Sequence, residues 1–163
     1  MNNSIVWILF AIVVGAGLWW FFANPRTASA PDTSLGTPVE FSVLEEGAQS
    51  NVIERKNYLA RTPEALEELW KMVHGEEAEV PVVDFSTSEV IGVFQGQKST
   101  GGYAIKVEKV LDSETARTLY LTLYEPASGC PVAQALTTPF EIITLPLSDK
   151  PLARKEVLAD SCI

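Results

Sequence analysis

The chain has 163 residues, 47% of them hydrophobic and 20% charged, and carries a net charge of −9. That length holds one domain of ordinary size plus a short extra segment. All 21 acidic and all 12 basic residues follow the first apolar run, so the acidity belongs wholly to the rest of the chain, with no basic stripe to offset it. Nucleic acid and anionic lipid surfaces are therefore excluded as partners, and a protein partner is expected.

Ile5 to Ala23 is nineteen residues without a charge, with Trp7 near one end and Trp19, Trp20, Phe21 and Phe22 at the other. Such a run spans a hydrocarbon core of about 30 Å, with aromatic residues at both interfaces. It predicts an uncleaved N-terminal transmembrane helix over residues 1–23. A cleaved signal peptide is the competing reading, because Ala28-Ser29-Ala30 fits a small-x-small site. Against it stand the length of the run, the lack of a preceding Lys or Arg, and Pro31 after the cut. The N-terminal amine and Arg26 nearly balance the positive-inside rule. Large domains translocate largely regardless of charge, so the C-terminal part is placed outside the cytoplasm.

Residues 24–38 are rich in Pro, Ser, Thr, Ala and Gly and read as a flexible tether. Residues 39–163 then form the domain. Val39 to Leu44 alternates and predicts a first strand; Val52 to Ala60 predicts a second. Thr62-Pro63-Glu64 announces a helix: a cap, a residue suited to the first turn and a carboxylate for the dipole. Leu66, Leu69, Trp70 and Val73 give it one apolar stripe, and Gly75 is expected to close it as a left-handed cap. His74 lies in the last turn, where positive charge suits the dipole. Nothing places a carboxylate and an activated serine around it, as a catalytic triad needs. Glu76, Glu77 and Glu79 read as a solvated acidic turn, because the spacing of a calcium loop is missing.

Val90 to Phe94 is almost continuously apolar, as a strand buried on both faces would be. From Tyr103 the pattern alternates, with Tyr103, Ile105 and Val107 opposed to Ala104, Lys106 and Glu108. Gly96, Gly101 and Gly102 lie between these runs and can take positive φ, so the stretch predicts a β-hairpin with a long tip. Lys98, Ser99, Thr100, Gly101, Gly102 and Tyr103 form that tip. It is either a plain turn or a partner-binding surface offering charge, a hydroxyl and an amphipathic ring. The same stretch misses a phosphate loop, because Gln97 stands before Lys98 and a strand follows where a helix should begin.

Arg117 to Glu125 alternates after a turn containing Asp112, Ser113 and Glu114. Val132 to Leu136 and Phe140 to Leu145 predict shorter strands split by Thr137-Thr138-Pro139, and Glu156 to Ala159 a final one. The whole reads as an α+β domain, mainly antiparallel β with one main helix packed on the sheet, or a helix-bearing sandwich. Cys130 and Cys162 are too few for a zinc cage with one distant histidine. In an oxidising compartment they pair and pin the tail; two unrelated thiols are the alternative. No residue pattern points to catalysis, a metal or another cofactor.

The central motifs resemble the PrcB C-terminal family, named for the accessory subunit of a bacterial surface serine-protease complex. The apolar strand leads into Gly96-Gln-Lys98-Ser99-Thr100-Gly101-Gly102-Tyr103 and an alternating strand. Tyr120 to Glu125, Pro126, Gly129, Cys130, Thr138, Pro139 and Phe140 follow in order. The resemblance covers Asp84 to Pro146. It implies a non-enzymatic, extracytoplasmic protein-binding domain that associates with and stabilises a surface or secreted serine protease. That accessory subunit is a lipoprotein, whereas no cysteine lies directly after the apolar run here, so the expected anchor is a spanning helix. A protease inhibitor working through a hairpin or edge strand, or an envelope sensor binding a ligand between sheet and helix, are the other classes to weigh.

Overall fold

The computed structural model describes residues 36–76 and 78–162. The expected anchor at Ile5 to Ala23, most of the tether and Glu77 lie outside the described residues. Among the described residues no helix is long and apolar enough to cross a membrane.

The described residues form eight strands and one helix, in order β1 (Thr37–Val39), β2 (Ser42–Gly47), β3 (Lys56–Ala60), α1 (Pro63–His74), β4 (Ser88–Phe94), β5 (Ala104–Asp112), β6 (Arg117–Pro126), β7 (Phe140–Pro146) and β8 (Leu152–Ser161). They make two four-stranded sheets, β1-β5-β6-β8 and β2-β7-β4-β3. Pairing is antiparallel except between β6 and β8, which run parallel. The fold is α+β and mainly antiparallel, with the helix on one sheet.

The β4 sequence is continuously apolar because both its faces are covered. Val90 and Phe94 meet Leu66, Leu69, Trp70 and Val73 of α1, together with Phe140 and Ile142 of β7. Ile91 and Val93 face the other way, into an interlayer core with Ile105, Val107, Leu119, Leu121, Leu123, Ile143 and Leu145. Burying each such side chain contributes roughly 1.5–3 kcal/mol. The helix presses closest at Gly92, where a Cβ would stand 2.9 Å from Leu69 Cδ1.

The helix forms as its ends predict. Thr62 Oγ1 accepts from the Ala65 amide at 3.2 Å, and Pro63 opens the first turn. Gly75 does take positive φ (+88°), but its ψ of −173° is not that of the expected left-handed cap. His74 does more than face the dipole: its Nε2 lies 2.9 Å from Glu45 of β2 and its ring packs on Trp70.

Several strand expectations need correction. The predicted strand from Val39 to Leu44 is two strands, β1 and β2, which belong to different sheets. Only Lys56–Ala60 of the second expected strand is a strand. Val132 to Leu136 forms none, because its backbone is used to hold a neighbouring loop, as described below. The final strand is longer than Glu156 to Ala159 and runs from Leu152 to Ser161.

The largest correction concerns the central hairpin. Val90–Phe94 pairs with β3 and β7, whereas Ala104–Asp112 pairs with β1 and β6. The two runs are strands, but they lie in opposite sheets, and the segment between them crosses from one layer to the other. The true hairpin is β5–β6, closed at Ser113–Ala116 by Ser113 N–H donating to Ala116 O at 2.9 Å.

Candidate functional site

The crossover from Gln95 to Tyr103 is held at nearly every step. Gln95 N–H donates to Pro139 O at 2.9 Å, and Gln97 N–H to Ile53 O at 2.9 Å. Between them Gly96 has φ +79°, and a Cβ there would meet the Arg55 amide nitrogen at 2.9 Å, so only glycine fits. Lys98 makes a two-way bridge with Thr137, its N–H donating at 2.8 Å and its carbonyl accepting at 3.0 Å. Thr137 Oγ1 donates to Thr100 O at 2.8 Å, and Gly101 N–H donates to Ala133 O at 2.8 Å. Apart from the Gln97–Ile53 bond, these loop backbone groups find their partners in residues 133–139, which is why that stretch is no strand.

The side chains divide into two sets. Ser99 is exposed, and Lys98 and Tyr103 are half-buried, with Lys98 Nζ 5.1 Å from the centre of the Tyr103 ring, inside cation–π range. Lys98 forms no ion pair among the described residues. Thr100 uses its hydroxyl within the loop, donating to Gly101 O at 3.1 Å. Gly102 has φ +84° and no room, since a Cβ would stand 2.8 Å from Val132 Cγ1. Gly101, by contrast, does not take positive φ, so the reason expected for it from the sequence does not apply. The surface on offer is therefore Lys98, Ser99 and Tyr103, with Thr100, Gly101 and Gly102 shaping it.

A concavity of about 340 Å³ opens beside Tyr103, between Glu46–Ala48 of the β2 end and Ala104–Lys106 of β5, with Phe140 in its wall. It lies at the edges of the two sheets, not between sheet and helix. Lys106 reaches across it to Glu46 and, at 3.6 Å, to Glu141 of β7. That contact with Lys106 lowers the Glu46 pKa. Burial pulls the Lys106 pKa down, but Glu46 and Glu141 outweigh it, so its pKa ends above the ordinary value. Glu141 is only 2% exposed, and burial pushes its pKa up against the opposing pull of the Val107 amide and Lys106. The Val107 amide donates to Glu141 at 2.5 Å beside the β-bulge between Val107 and Lys109, where the ladder is interrupted.

A second group of buried charges was not found from the sequence. Glu89 of β4 accepts from Arg117 of β6 at 2.7 Å and from Arg61 at 2.8 Å. Arg117 also grips Asp112 through two nitrogens at 2.8 and 3.0 Å. The Arg117 pairing depresses the Asp112 pKa despite partial burial. The available signal was a charged residue in register with core positions: Glu89 two before Ile91, Arg117 two before Leu119, and Glu141 two before Ile143.

Cys130 and Cys162 are bonded, with Cα atoms 5.6 Å apart. The bond fixes the end of β8 to the loop after β6, where Ala127 N–H also donates to Ser161 O.

Fold and site together define a disulfide-bonded, two-sheet α+β domain whose layers are joined by a tied-down polar crossover. Residues 90–146 match the family described as PrcB C-terminal, which is the resemblance read from the sequence. The matched segment runs from within β4 to the end of β7. It takes in the crossover, the β5–β6 hairpin and Cys130, but neither α1 nor β8. No curated protein and no solved structure matches the chain.

Proposed function

We propose that this chain is a non-enzymatic accessory subunit: a domain tethered through Ile5 to Ala23 on the outer side of a membrane, binding and stabilising a surface or secreted serine protease. The observation that carries the reading is the PrcB C-terminal match over residues 90–146, a family that suggests an accessory role in a protease complex. The matched segment contains the crossover whose outward groups are Lys98, Ser99 and Tyr103. The Cys130–Cys162 bond supports an oxidising compartment. The tied-down crossover favours a static contact over insertion into a substrate groove, which needs a protruding hairpin or a free strand.

The test is capture of serine hydrolases from the solubilised envelope of the producing cells by the immobilised full-length chain in detergent. A fluorophosphonate probe reports each free active serine. The expected result is a retained hydrolase that still reacts with the probe and stays active longer with the chain than without it. Retention with the active serine blocked would make the chain an inhibitor. Failure to retain any serine hydrolase above a control domain would remove the reading.

A further inference from the structure

We propose that β8 is a self-pairing edge: two copies of the chain join β8 to β8 antiparallel, with Val157 opposite Val157 on a two-fold axis, fusing two four-stranded sheets into one. Exposed strand edges are usually blunted by shortness, bulges, proline or charged side chains. The other edges here are blunted by shortness or a bulge, whereas β8 carries only charges, Arg154, Lys155, Glu156 and Asp160, which permit pairing in a register that matches them. β1 has three residues, β3 has five, and β2 carries a bulge between Val43 and Glu45. β8 has ten residues, pairs with β6 along its whole length without a register shift, and contains no proline. Among the described residues no strand lies beyond it. Val157 is 63% exposed and Leu158 70% exposed. Consecutive residues point to opposite faces, so Val157 and Leu158 expose apolar surface on both, next to Glu156, which pairs with Arg55 and Arg154. The Cys130–Cys162 bond holds the strand's end in place, which reduces the ordering cost of pairing.

Charge selects both the partner and the register. In a two-fold antiparallel pair, opposed residues share a face, so the axis must pass through a residue. Centring on Lys155 or Glu156 opposes that charge to itself, and centring on Leu158 sets Glu156 against Asp160 twice. Directly opposed like charges destabilise a strand pair. Centring on Arg154 or Ala159 shortens the paired stretch to five residues, 152–156 or 157–161. Centring on Val157 pairs 153–161, sets Arg154 opposite Asp160 twice, Lys155 opposite Ala159 and Glu156 opposite Leu158, with no like charges facing. This register is self-complementary. A second copy of the chain is therefore the occupant the edge fits.

Cross-linking of the full-length chain in detergent tests this. With Val157→Cys, mild oxidation should give a covalent dimer on a non-reducing gel. With Lys155→Cys it should not, because the two positions would lie four residues out of register, about 13 Å apart, beyond a disulfide's reach of roughly 7 Å. No cross-link at 157, or equal cross-linking at both positions, overturns the proposal. Sedimentation supplies a readout independent of cysteine: Arg154→Asp should weaken the dimer about tenfold, and Arg154→Asp with Asp160→Arg should restore it. A wild-type chain that sediments as a monomer, as it would if the edge served an unrelated protein, overturns it. So does a charge swap without recovery.

Discussion

Two glutamates, Glu89 on β4 and Glu141 on β7, point from the same sheet into the same interlayer space, and both are nearly inaccessible. Their partners differ. Glu89 meets two guanidinium groups, Arg117 and Arg61, and Arg117 is closed off in turn by Asp112. Glu141 meets one backbone amide and a more distant ammonium, Lys106 at 3.6 Å. One end of the interlayer core is sealed by a saturated ion network. The other end is only partly balanced, and it is there that the concavity and the Lys98–Tyr103 loop lie. The same residue type in the same layer closes a saturated network at one end and borders the concavity and the Lys98–Tyr103 loop at the other.

Removing a guanidinium should produce the largest difference between the ends. Arg117→Met leaves Glu89 buried with Arg61 alone and should cost about 3–5 kcal/mol in urea unfolding. Replacing Glu89 and Arg117 together by leucine should cost less than that single change, since the fully buried carboxylate goes with its partner. The groups left behind are the more accessible Asp112, still near Lys150, and Arg61, still bonded to Ser148 O.

At the other end, Glu141→Leu should cost about 1–3 kcal/mol, because it strands the Val107 amide. Glu141→Gln should cost less than about 1 kcal/mol, because the amide oxygen can still accept that bond and no charge is left desolvated. Equal losses for the two substitutions would show that the charge, rather than the acceptor, matters there.

Acid titration should separate the ends by sign. The Glu141 pKa is raised by burial in the folded state, so its contribution improves as pH falls from that raised value to the ordinary value near 4.3. The Asp112 pKa is lowered by Arg117, so its contribution is present above about pH 3.9 and lost as pH falls through the lowered value. Unfolding midpoints against pH should therefore lose the first, favourable arm in Glu141→Gln and the second, unfavourable arm in Asp112→Asn.

The helix was legible in the sequence because its signals are local: Thr62, Pro63 and a stripe at helical spacing. The faces of β4, β5 and β6 were legible because periodicity reports what covers a strand. Periodicity does not report which strand lies alongside, and that is where the central hairpin failed. Phe94 and Tyr103 border real strands, but Asn57, Val93 and Glu141 meet only in the folded sheet. Most of β8 escaped notice for the complementary reason: neither face of an open edge is fully buried, so Leu152–Ser161 shows no alternation. The pairing of Cys130 with Cys162 followed from parity. The partners of Glu89 and Glu141 did not, being 28 and 34 residues away. In the candidate site, Lys98 and Tyr103 were read from the sequence as part of an offered loop surface, and the structure leaves both half-buried. The backbone ties to Ile53, Ala133 and Thr137 that fix them were not visible.

The central claim is that a protein partner engages the partly balanced end. It is tested most directly by comparing retention of fluorophosphonate-reactive hydrolase on three immobilised full-length chains: wild type, Lys98→Ala with Ser99→Ala, and Lys150→Ala beside Asp112 at the sealed end. Both variants should keep their stability within about 0.5 kcal/mol, as surface changes do. The account predicts equal retention on wild type and Lys150→Ala, and roughly tenfold weaker binding, a loss near 1.4 kcal/mol, on the loop variant. Equal retention on all three chains, or a loss only with Lys150→Ala, would contradict it.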